Sequence, residues 1–424
     1  MARFGIFCLP MKSHMNLFLT LAHALRTNGH HITFFAISNL RDQILGAGFD
    51  FCLVEPRSSP IGTLGKMINE MAARGNVGSM KLQMQFDYLR FQGILEQGPS
   101  AVREARIDTM IVDQAEACSG SVADVCTLPW VSVCNGLALN REPQIPPYFT
   151  PWSYRPTLVA TLRNELAYTV SNLVARPLSK LINQYRKQWR LKPYERMDDS
   201  FSSLAQVCQQ PKEFDFPRKH LPPHFHYVGP IRSGEATKID FPWEQLNGKP
   251  LIYASLGTLV NHHPALFRMI AQACEGLDAQ LVISEGGNEA TALPHLPGAP
   301  LVFKVVPQFE LLSKAALTIT HSGLNTVLES LTHGVPLLAL PITFEQPAIA
   351  SRIVWTHTGE MLSPRRATAS SIRGLIKTLL HDISYRRSAQ KMKAALSVLN
   401  GIRSATQIIE RVAETGQPAL REAS

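Results

Sequence analysis

The sequence THSGLNTVLESLTHGVPLLALPITFEQ, from Thr320 to Gln346, contains the signals of a strand, a tight turn, a helix and a second strand. Residues 316–320 (ALTIT) are apolar and β-branched, as in a buried parallel strand, and they lead into 321–323 (HSG), where glycine permits a tight turn. The residues GVP at 334–336 end the helix and open the next strand. The stretch therefore predicts a βαβ unit of a parallel sheet.

The start of the predicted helix is suited to an anion. Its first turn, 324–326, presents unpaired N–H groups and the positive end of the helix dipole, which together attract a diphosphate. His321 adds a side-chain donor, and Glu329 can accept both hydroxyls of a ribose. Glu345 and Gln346 follow the second strand and can contact sugar hydroxyls. Judged on these residues alone, a plain βαβ unit without a ligand remains an equal alternative.

Length and hydrophobic pattern predict two α/β domains. The chain has 424 residues, of which 45% are hydrophobic, and so exceeds the size at which a single core usually splits. Short apolar runs alternate with helix-length segments throughout, which is typical of doubly wound parallel sheets. The predicted strands are 4–9, 32–37, 49–54, 107–113 and 130–134 in the first half, and 251–256, 280–284, 301–305, 317–320 and 336–340 in the second.

A proline-rich polar segment marks the domain boundary between positions 211 and 250. We expect a first domain at 1–225, a linker at 226–249 and a second domain at 250–424. Residues 143–197 break the alternation, because they begin rich in proline and then become long and helical. They predict an inserted element near the cleft between the domains.

The sequence favours a cytoplasmic protein. No apolar run approaches the roughly 20 residues of a membrane-spanning helix, and Pro10 and Lys12 interrupt the N-terminal apolar stretch, which predicts a first strand rather than a signal peptide. The seven cysteines are scattered and contain no C-x-x-C pair. Neither a disulfide framework nor a zinc site is expected.

The net charge of +9 raises the question of an anionic partner. No nucleic-acid-binding motif is present, so nucleic acid is not expected as a partner. The densest basic segment, 176–196, interleaves cations with Leu, Ile, Tyr and Trp at helical spacing. Such a helix either packs on its own domain or rests on lipid headgroups as a peripheral contact at the inner face of the membrane.

Two polar residues follow neighbouring strands in the first half. His14 comes just after the first predicted strand, at the start of a helix, and Asp113 ends the strand IDTMIVD. Ligands bind at this edge of parallel sheets, and histidine is well suited to take a proton near neutral pH. The carboxylate can orient the imidazole and stabilise its protonated form.

The stretch 320–346 resembles the donor-binding signature of glycosyltransferase family 1, the UDP-glycosyltransferases, which reads His-x-Gly-x-Asn-[Ser/Thr]-x-x-Glu, then Gly-Val-Pro, then Pro and [Asp/Glu]-Gln. The resemblance implies the GT-B architecture, with two Rossmann-like domains facing a cleft and a C-terminal helix that returns to the first domain. It also implies a UDP-sugar as donor substrate. The implied donor-binding residues are Ser255, Gly257, Thr258, Val306, Gln308, His321, Gly323, Asn325, Thr326, Glu329, Glu345 and Gln346.

The same resemblance assigns roles to the first-domain pair. His14 would remove the proton of an acceptor hydroxyl and Asp113 would orient it, so that attack on the anomeric carbon inverts its configuration. Neither a cofactor nor a metal ion is implied, and the sequence has no Asp-x-Asp triplet. One position departs from the family pattern: Val305 stands where plant members have a tryptophan that stacks on uracil. A TDP-sugar therefore stays open as an alternative donor.

Within the family, the chain resembles the bacterial zeaxanthin glucosyltransferases. The resemblance includes IVDQAEACSGSVAD at 111–124, GLALNREPQIPP at 136–147 and FDFPRKHLPPHFHYVGPIR at 214–232. It implies glucose transfer from UDP-glucose to a lipophilic hydroxyl, such as that of a xanthophyll. The aromatic residues expected at the acceptor are Phe86, Tyr88, Tyr148 and Phe149, with Phe91 and Trp152 as further candidates.

Alternative functions remain open on the sequence. The acceptor could instead be a macrolide, a flavonoid or a sterol, with the same chemistry. An enzyme of another class with the same fold, a UDP-sugar epimerase or hydrolase, would not need His14 paired with Asp113 at an acceptor pocket.

Overall fold

The computed structural model describes residues 1–74, 79–232, 239–257, 263–286 and 295–421. They form two domains, each built on a parallel sheet with helices against both of its faces. The predicted fold class, two doubly wound α/β domains that face a cleft, is confirmed.

The first sheet has the strand order β3-β2-β1-β4-β5-β6-β7, and its paired strands are parallel. Its strands are β1 (Arg3–Phe7), β2 (His31–Ala36), β3 (Asp50–Leu53), β4 (Thr109–Asp113), β5 (Trp130–Cys134), β6 (Gln206–Cys208) and β7 (Phe225–Tyr227). The helices of this part of the chain are α1 (Lys12–Thr27), α2 (Arg41–Gly46), α3 (Thr63–Arg74), α4 (Ser79–Glu104), α5 (Ser119–Cys126) and α6 (Leu158–Gln188).

The second sheet has the order β10-β9-β8-β11-β12-β13 and is also parallel. Its strands are β8 (Leu251–Ser255), β9 (Gln280–Ser284), β10 (Leu301–Phe303), β11 (Ala315–Thr320), β12 (Leu337–Ala339) and β13 (Gly359–Met361). The helices are α7 (Pro264–Cys274), α8 (Gln308–Leu312), α9 (Leu324–Thr332), α10 (Gln346–Trp355), α11 (Ala369–His381), α12 (Ile383–Ser397) and α13 (Gly401–Thr415).

Successive strand residues enter cores on opposite faces of each sheet. In β1, Ile6 packs in the core that contains α1, whereas Phe7 packs in the core that contains α4 and α5. Both side chains are almost fully buried. A sheet covered on both faces needs apolar residues at every position, which explains why its strands appear in the sequence as continuous apolar runs.

Three short strands escaped the sequence prediction. β6, β7 and β13 have only three residues each, and their sequences QVC, FHY and GEM contain no apolar run. β7 also extends the first sheet to Tyr227, two residues into the segment 226–249 that was predicted to be linker.

Several contacts join the two domains. Leu137 and Phe214 of the first domain pack in a core formed by α9, α10 and α12 of the second. The C-terminal helix α13 packs on α1, with Ala405, Ile409 and Val412 in the core of the first domain. These contacts fix the carboxyl edges of the two sheets opposite each other.

A lipid contact was one alternative for residues 176–196. Their apolar side chains pack on their own domain, whereas Arg176, Lys180 and Lys187 are exposed. Leu181 and Ile182 are buried in the core beside α4 and α5, and Leu178, Tyr185 and Trp189 pack against the same core. Within the described residues, no helix is both long enough and apolar enough to cross a bilayer.

Candidate active site

A cavity of about 1630 Å³ lies between the domains, at the carboxyl edges of both sheets. A pocket for one small ligand usually measures about 300–1,000 Å³. The cavity therefore has room for two ligands at once. The first domain contributes its β1–α1 and β4–α5 loops together with α6, and the second contributes the residues around the start of α9 and the loop before α10.

His14 and Asp113 meet at the first-domain wall of this cavity. β1 and β4 are adjacent and parallel, so the residues that follow them lie side by side. His14 stands in the first turn of α1, and its Nδ1 lies 2.5 Å from Oδ2 of Asp113. Since an ionised carboxylate can only accept, Nδ1 carries the proton and Nε2 remains as the nitrogen that can accept one.

The environment of the pair favours proton uptake by His14. The Asp113 carboxylate is buried and also accepts hydrogen bonds from the main-chain N–H groups of Leu9 and Ala115. Burial disfavours the imidazolium, but the charge and hydrogen bond of Asp113 outweigh it and raise the pKa of His14 above its ordinary value. The result is an oriented base whose protonated form is stabilised.

His321 lies against two glycines at the second-domain wall. A Cβ atom at Gly257 would lie 2.6 Å from the imidazole ring, and one at Gly323 would lie 2.8 Å from it. Gly257 also has a φ of +84°, which side-chain-bearing residues rarely adopt. Glycine at both positions therefore allows the ring to sit next to the main chain at the start of α9.

His321 is a neutral hydrogen-bonding group. Burial lowers its pKa to about 4, against a smaller opposing effect of a hydrogen bond with the main chain of Ser255. Its Nδ1 is buried without a hydrogen-bond partner among the described residues. With Ser322 at a φ of +72°, the chain turns sharply before α9, whose first residues line the cavity and whose first N–H groups have no partner within the helix. A phosphate group can accept hydrogen bonds from these N–H groups.

A chain of hydrogen bonds holds Glu329 in place. The Tyr253 hydroxyl donates to Oε1 of Gln308 over 2.8 Å, and Nε2 of Gln308 donates to the Glu329 carboxylate over 2.7 Å. Gln308 was predicted to be a donor-binding residue, and both ends of its amide are engaged within the protein. Its observed contacts make it a residue that positions Glu329.

Glu345 reaches across the cleft towards the first domain. Its carboxylate lies 3.8 Å from the position of a Cβ atom added to Gly136, which follows β5. Its negative charge also raises the pKa of His14, after the effects of burial and Asp113. The neighbouring Gln346 uses its amide oxygen to accept from the N–H groups of Ile342 and Thr343. Glu345 thus lies between the two walls of the cavity.

Most of the predicted donor-side residues line this single cavity. They are Ser255, Gly257, Val306, Gln308, His321, Gly323, Asn325, Thr326, Glu329, Glu345 and Gln346. Thr258 lies outside the described residues. Asn325 already has a partner in the first domain, because Nε2 of Gln209 donates to its Oδ1 over 2.9 Å.

The predicted acceptor residues are only partly brought together. Tyr148 lines the cavity. Phe86 does not, because it is fully buried in the core that contains α1. Tyr88 is 41% exposed and, like Phe149, is absent from the cavity wall. The expectation for Phe86, Tyr88 and Phe149 is therefore corrected.

α6 and α4 both contribute apolar side chains to the cavity wall. Val174, Leu178 and Ile182 of α6 line the cavity together with Phe91 of α4, one of the further candidates. The other, Trp152, lies elsewhere and stacks under the Arg163 guanidinium. The sequence indicated α6 as an element near the cleft, but not which of its residues face it.

Sequence reasoning missed several polar residues of the cavity. Gln209 connects the domains through Asn325, Arg232 stacks over the Phe309 ring, and the buried Arg90 pairs with Asp87 and Glu116. The signal for Gln209 was its position directly after β6, a strand too short to be recognised. The described residues contain no group of three or more His, Cys, Asp and Glu side chains placed to hold a metal ion.

Comparison with known proteins identifies a matching family and similar sequences. Residues 96–397 match the family model described as UDP-glucoronosyl and UDP-glucosyl transferase. A zeaxanthin glucosyltransferase of Pantoea ananas is 34% identical over 99% of this chain and 98% of that protein. One of Pseudescherichia vulneris is 30% identical over 97% and 98%, respectively.

The fold has solved counterparts as well. The structure of the glycotransferase of kitacinnamycin superposes with a TM-score of 0.75 at 18% identity, covering 97% of this chain and 98% of that one. At 18% identity this superposition shows a shared fold only. Membership of a family is shown by the sequence matches to the family model and to the two relatives. The chain therefore belongs to the family of UDP-glucoronosyl and UDP-glucosyl transferases and is a glycosyltransferase of the GT-B fold.

Proposed function

We propose that the protein transfers glucose from UDP-glucose to a hydroxyl of a lipophilic acceptor, a xanthophyll such as zeaxanthin, with inversion at the anomeric carbon. The observation that carries the proposal is the position of the His14–Asp113 pair. The pair opens on the same cavity as the start of α9, and Glu345, whose charge acts on His14, lines this cavity as well.

The first-domain pair supplies the base. Nε2 of His14 takes the proton of the acceptor hydroxyl while the acceptor oxygen attacks the anomeric carbon from the side opposite the diphosphate. The new C–O bond forms as the bond to the diphosphate breaks, so an α-linked donor gives a β-glucoside and UDP. Asp113 holds the imidazole in the required tautomer and stabilises the imidazolium that results.

The second domain supplies the donor site. The first N–H groups of α9 and the neutral His321 donate to the diphosphate and stabilise the charge that develops on departure. Because His321 is uncharged at neutral pH, its contribution is a hydrogen bond rather than an ion pair. Glu329, held by Gln308, accepts from the ribose hydroxyls, and Glu345 and Gln346 contact the sugar.

The acceptor class is supported by the cavity wall and by the relatives. Val174, Leu178 and Ile182 give the first-domain side an apolar surface suited to a large hydrophobic molecule. The relatives that are 34% and 30% identical over almost the whole chain are named zeaxanthin glucosyltransferases.

An acceptor panel tests the proposal. The purified protein is incubated with UDP-glucose and, separately, zeaxanthin, a macrolide, a flavonoid or a sterol in detergent, and the products are identified by mass spectrometry and proton NMR. We expect a β-glucoside of zeaxanthin as the main product, with TDP-glucose used less efficiently. Release of UDP without acceptor at the same rate would instead favour a hydrolase, and an α-glucoside would contradict inversion.

A further inference from the structure

Within the described part of the chain, α6 presents an apolar surface that no other element covers. Val159, Leu162, Leu166, Val170, Leu173 and Val174 recur at helical spacing on one face, and we call this set the α6 stripe. Each of these side chains is between 48% and 78% exposed. No other stretch of the described chain gathers as many exposed large apolar side chains. Such patches on a soluble protein usually mark an interaction site.

The surroundings of the stripe are strongly basic. Residues 155–192 contain eight Arg and Lys and a single acidic residue, Glu165, so this segment contributes +7 to a chain whose net charge is +9. Arg186 is buried and paired with Asp124. The exposed cations are Arg155, Arg176, Lys180, Lys187, Arg190 and Lys192. An apolar face bordered by cations is the pattern of helices that lie in the interface of an anionic bilayer.

The stripe is continuous with the cavity. Val174 belongs to the stripe and also lines the cavity, and the next turn of α6 places Leu178 on the cavity wall. Apolar residues of α6 therefore continue from the exposed surface to the wall of the cavity.

We propose that the α6 stripe docks on an anionic lipid bilayer, with the apolar side chains inserted at the interface and the surrounding cations against lipid phosphates. A second copy of the chain is disfavoured as the occupant, because a dimer through this face would bring two surfaces of high positive charge together. Entry of a membrane-dissolved acceptor along α6 rests on the proposed function, whereas docking itself does not.

Vesicle co-sedimentation tests the docking. The full-length protein is mixed with vesicles of phosphatidylcholine alone or of phosphatidylcholine and phosphatidylglycerol in equal parts. We expect sedimentation with the mixed vesicles, weakened by added salt. Leu162→Gln/Leu166→Gln should lower the partition coefficient roughly tenfold or more, because two apolar side chains leave the interface. Lys180→Gln/Lys187→Gln should weaken binding to the mixed vesicles only.

A matched control removes equally exposed apolar side chains elsewhere. Ile383→Gln/Val398→Gln changes residues that are 60% and 82% exposed at the two ends of α12, and we expect it to sediment like the parent. Equal sedimentation of the parent and the Leu162→Gln/Leu166→Gln protein would overturn the proposal. The proposal would also be overturned if the parent did not sediment with vesicles and instead formed a dimer that the Leu162→Gln/Leu166→Gln substitutions dissociate.

Activity separates failure of docking from failure of the proposed function. With a water-soluble phenol as acceptor, the Leu162→Gln/Leu166→Gln protein should keep the parent rate, while its rate with zeaxanthin embedded in mixed vesicles should fall roughly tenfold along with binding. Vesicle binding without transfer to any acceptor would support docking and refute the proposed function. An unchanged rate with embedded zeaxanthin would refute entry along α6.

Discussion

His14 meets two requirements of a general base. Its Nε2 is free to accept a proton, since Nδ1 donates to Asp113, and its pKa is raised by that carboxylate. Both residues were identifiable in the sequence, because His14 follows β1, Asp113 ends β4, and these two strands pair directly. A histidine and a carboxylate at the carboxyl ends of two adjacent parallel strands lie close together because the strand pairing itself positions them, without long loops.

The pH dependence of transfer should report on Asp113. The base acts in its neutral form, so kcat/KM should rise as the pH increases through the pKa of His14. Asp113→Asn removes the charge that raises this pKa, so the acidic limb should move to lower pH while the maximal rate falls roughly 10²- to 10⁴-fold. The measurement is the pH profile of kcat/KM, with Asp278→Asn, which changes an exposed ion pair with Lys249, as the control. If the acidic limb of Asp113→Asn lay at the same pH as that of the parent, Asp113 would not be the group that raises the pKa of His14.

The close approach of His321 to Gly257 gives a second prediction. In Gly257→Ala the new Cβ would collide with the imidazole ring, so the ring must shift from its observed position beside the start of α9. We expect UDP to bind roughly tenfold more weakly by isothermal titration calorimetry, the equivalent of one lost hydrogen bond of about 1.5 kcal/mol. Gly248→Ala is the matched control, because Gly248 has a similar φ of +81° with nothing within 4 Å of the added atom. Its UDP affinity should be unchanged.

At the scale of elements, the packing of α8 against α9 sets the position of the Glu329 carboxylate. The Tyr253 hydroxyl on β8 donates a hydrogen bond to Gln308 at the start of α8, and Gln308 in turn donates one to this carboxylate. The sequence placed Gln308 near the donor but did not reveal that its amide is fully engaged, since its partners lie 55 and 21 residues away. Contacts of that range depend on the packing of elements, which residue patterns do not encode.

Gln308→Leu should weaken the donor site by releasing Glu329. The buried carboxylate loses its hydrogen bond, and since that bond lowers the pKa of Glu329, the substitution should raise this pKa further. We expect the dissociation constant of UDP to rise roughly tenfold to a hundredfold, as for a hydrogen bond to a charged group. Tyr253→Phe removes only the hydrogen bond from the tyrosine hydroxyl to Gln308, so it should raise the dissociation constant of UDP by less in the same titration. An unchanged affinity in Gln308→Leu would show that Glu329 is held by other means.

The limits of sequence reasoning are also visible at this scale. The long strands were predictable because both of their faces are buried and their residues are continuously apolar. The three-residue strands β6, β7 and β13 were not, because strands this short carry no pattern of their own. The residues expected at the acceptor were aromatic, yet α6 contributes the aliphatic residues Val174, Leu178 and Ile182 to the cavity wall.

At the scale of the whole molecule, one buried carboxylate ties the domains together. Asp215 of the first domain accepts from Arg218 of the same domain and from Arg352 of α10, and the Tyr227 hydroxyl also donates to it. Burial opposes its charge, but the two guanidinium groups outweigh this and hold the pKa of Asp215 well below its ordinary value. The link spans 137 residues of sequence and could not have been anticipated from either segment.

Asp215→Asn should therefore destabilise the protein strongly. It leaves the buried Arg352 guanidinium without its counter-charge and Arg218 with only Glu142, 4.0 Å away, which we expect to cost about 3–5 kcal/mol of unfolding free energy. Because the folded-state pKa is lowered, this stabilisation is present above the ordinary carboxyl pKa and is lost as the pH falls below it. Urea unfolding at neutral and acidic pH measures both effects. As a control, Asp278→Asn should leave the unfolding free energy nearly unchanged. If Asp215→Asn changed the unfolding free energy as little as this control, Asp215 would not be the carboxylate that ties the domains together.

The central claim is that one interdomain cavity joins a UDP-sugar site to a base at His14. The most direct test compares the parent with His14→Ala and with His220→Ala, which removes an exposed histidine. Formation of zeaxanthin glucoside from UDP-glucose is followed by mass spectrometry, and UDP affinity by calorimetry. The account predicts that His14→Ala loses transfer by roughly 10²- to 10⁴-fold while binding UDP like the parent, and that His220→Ala retains both. Full transfer activity in His14→Ala would contradict it.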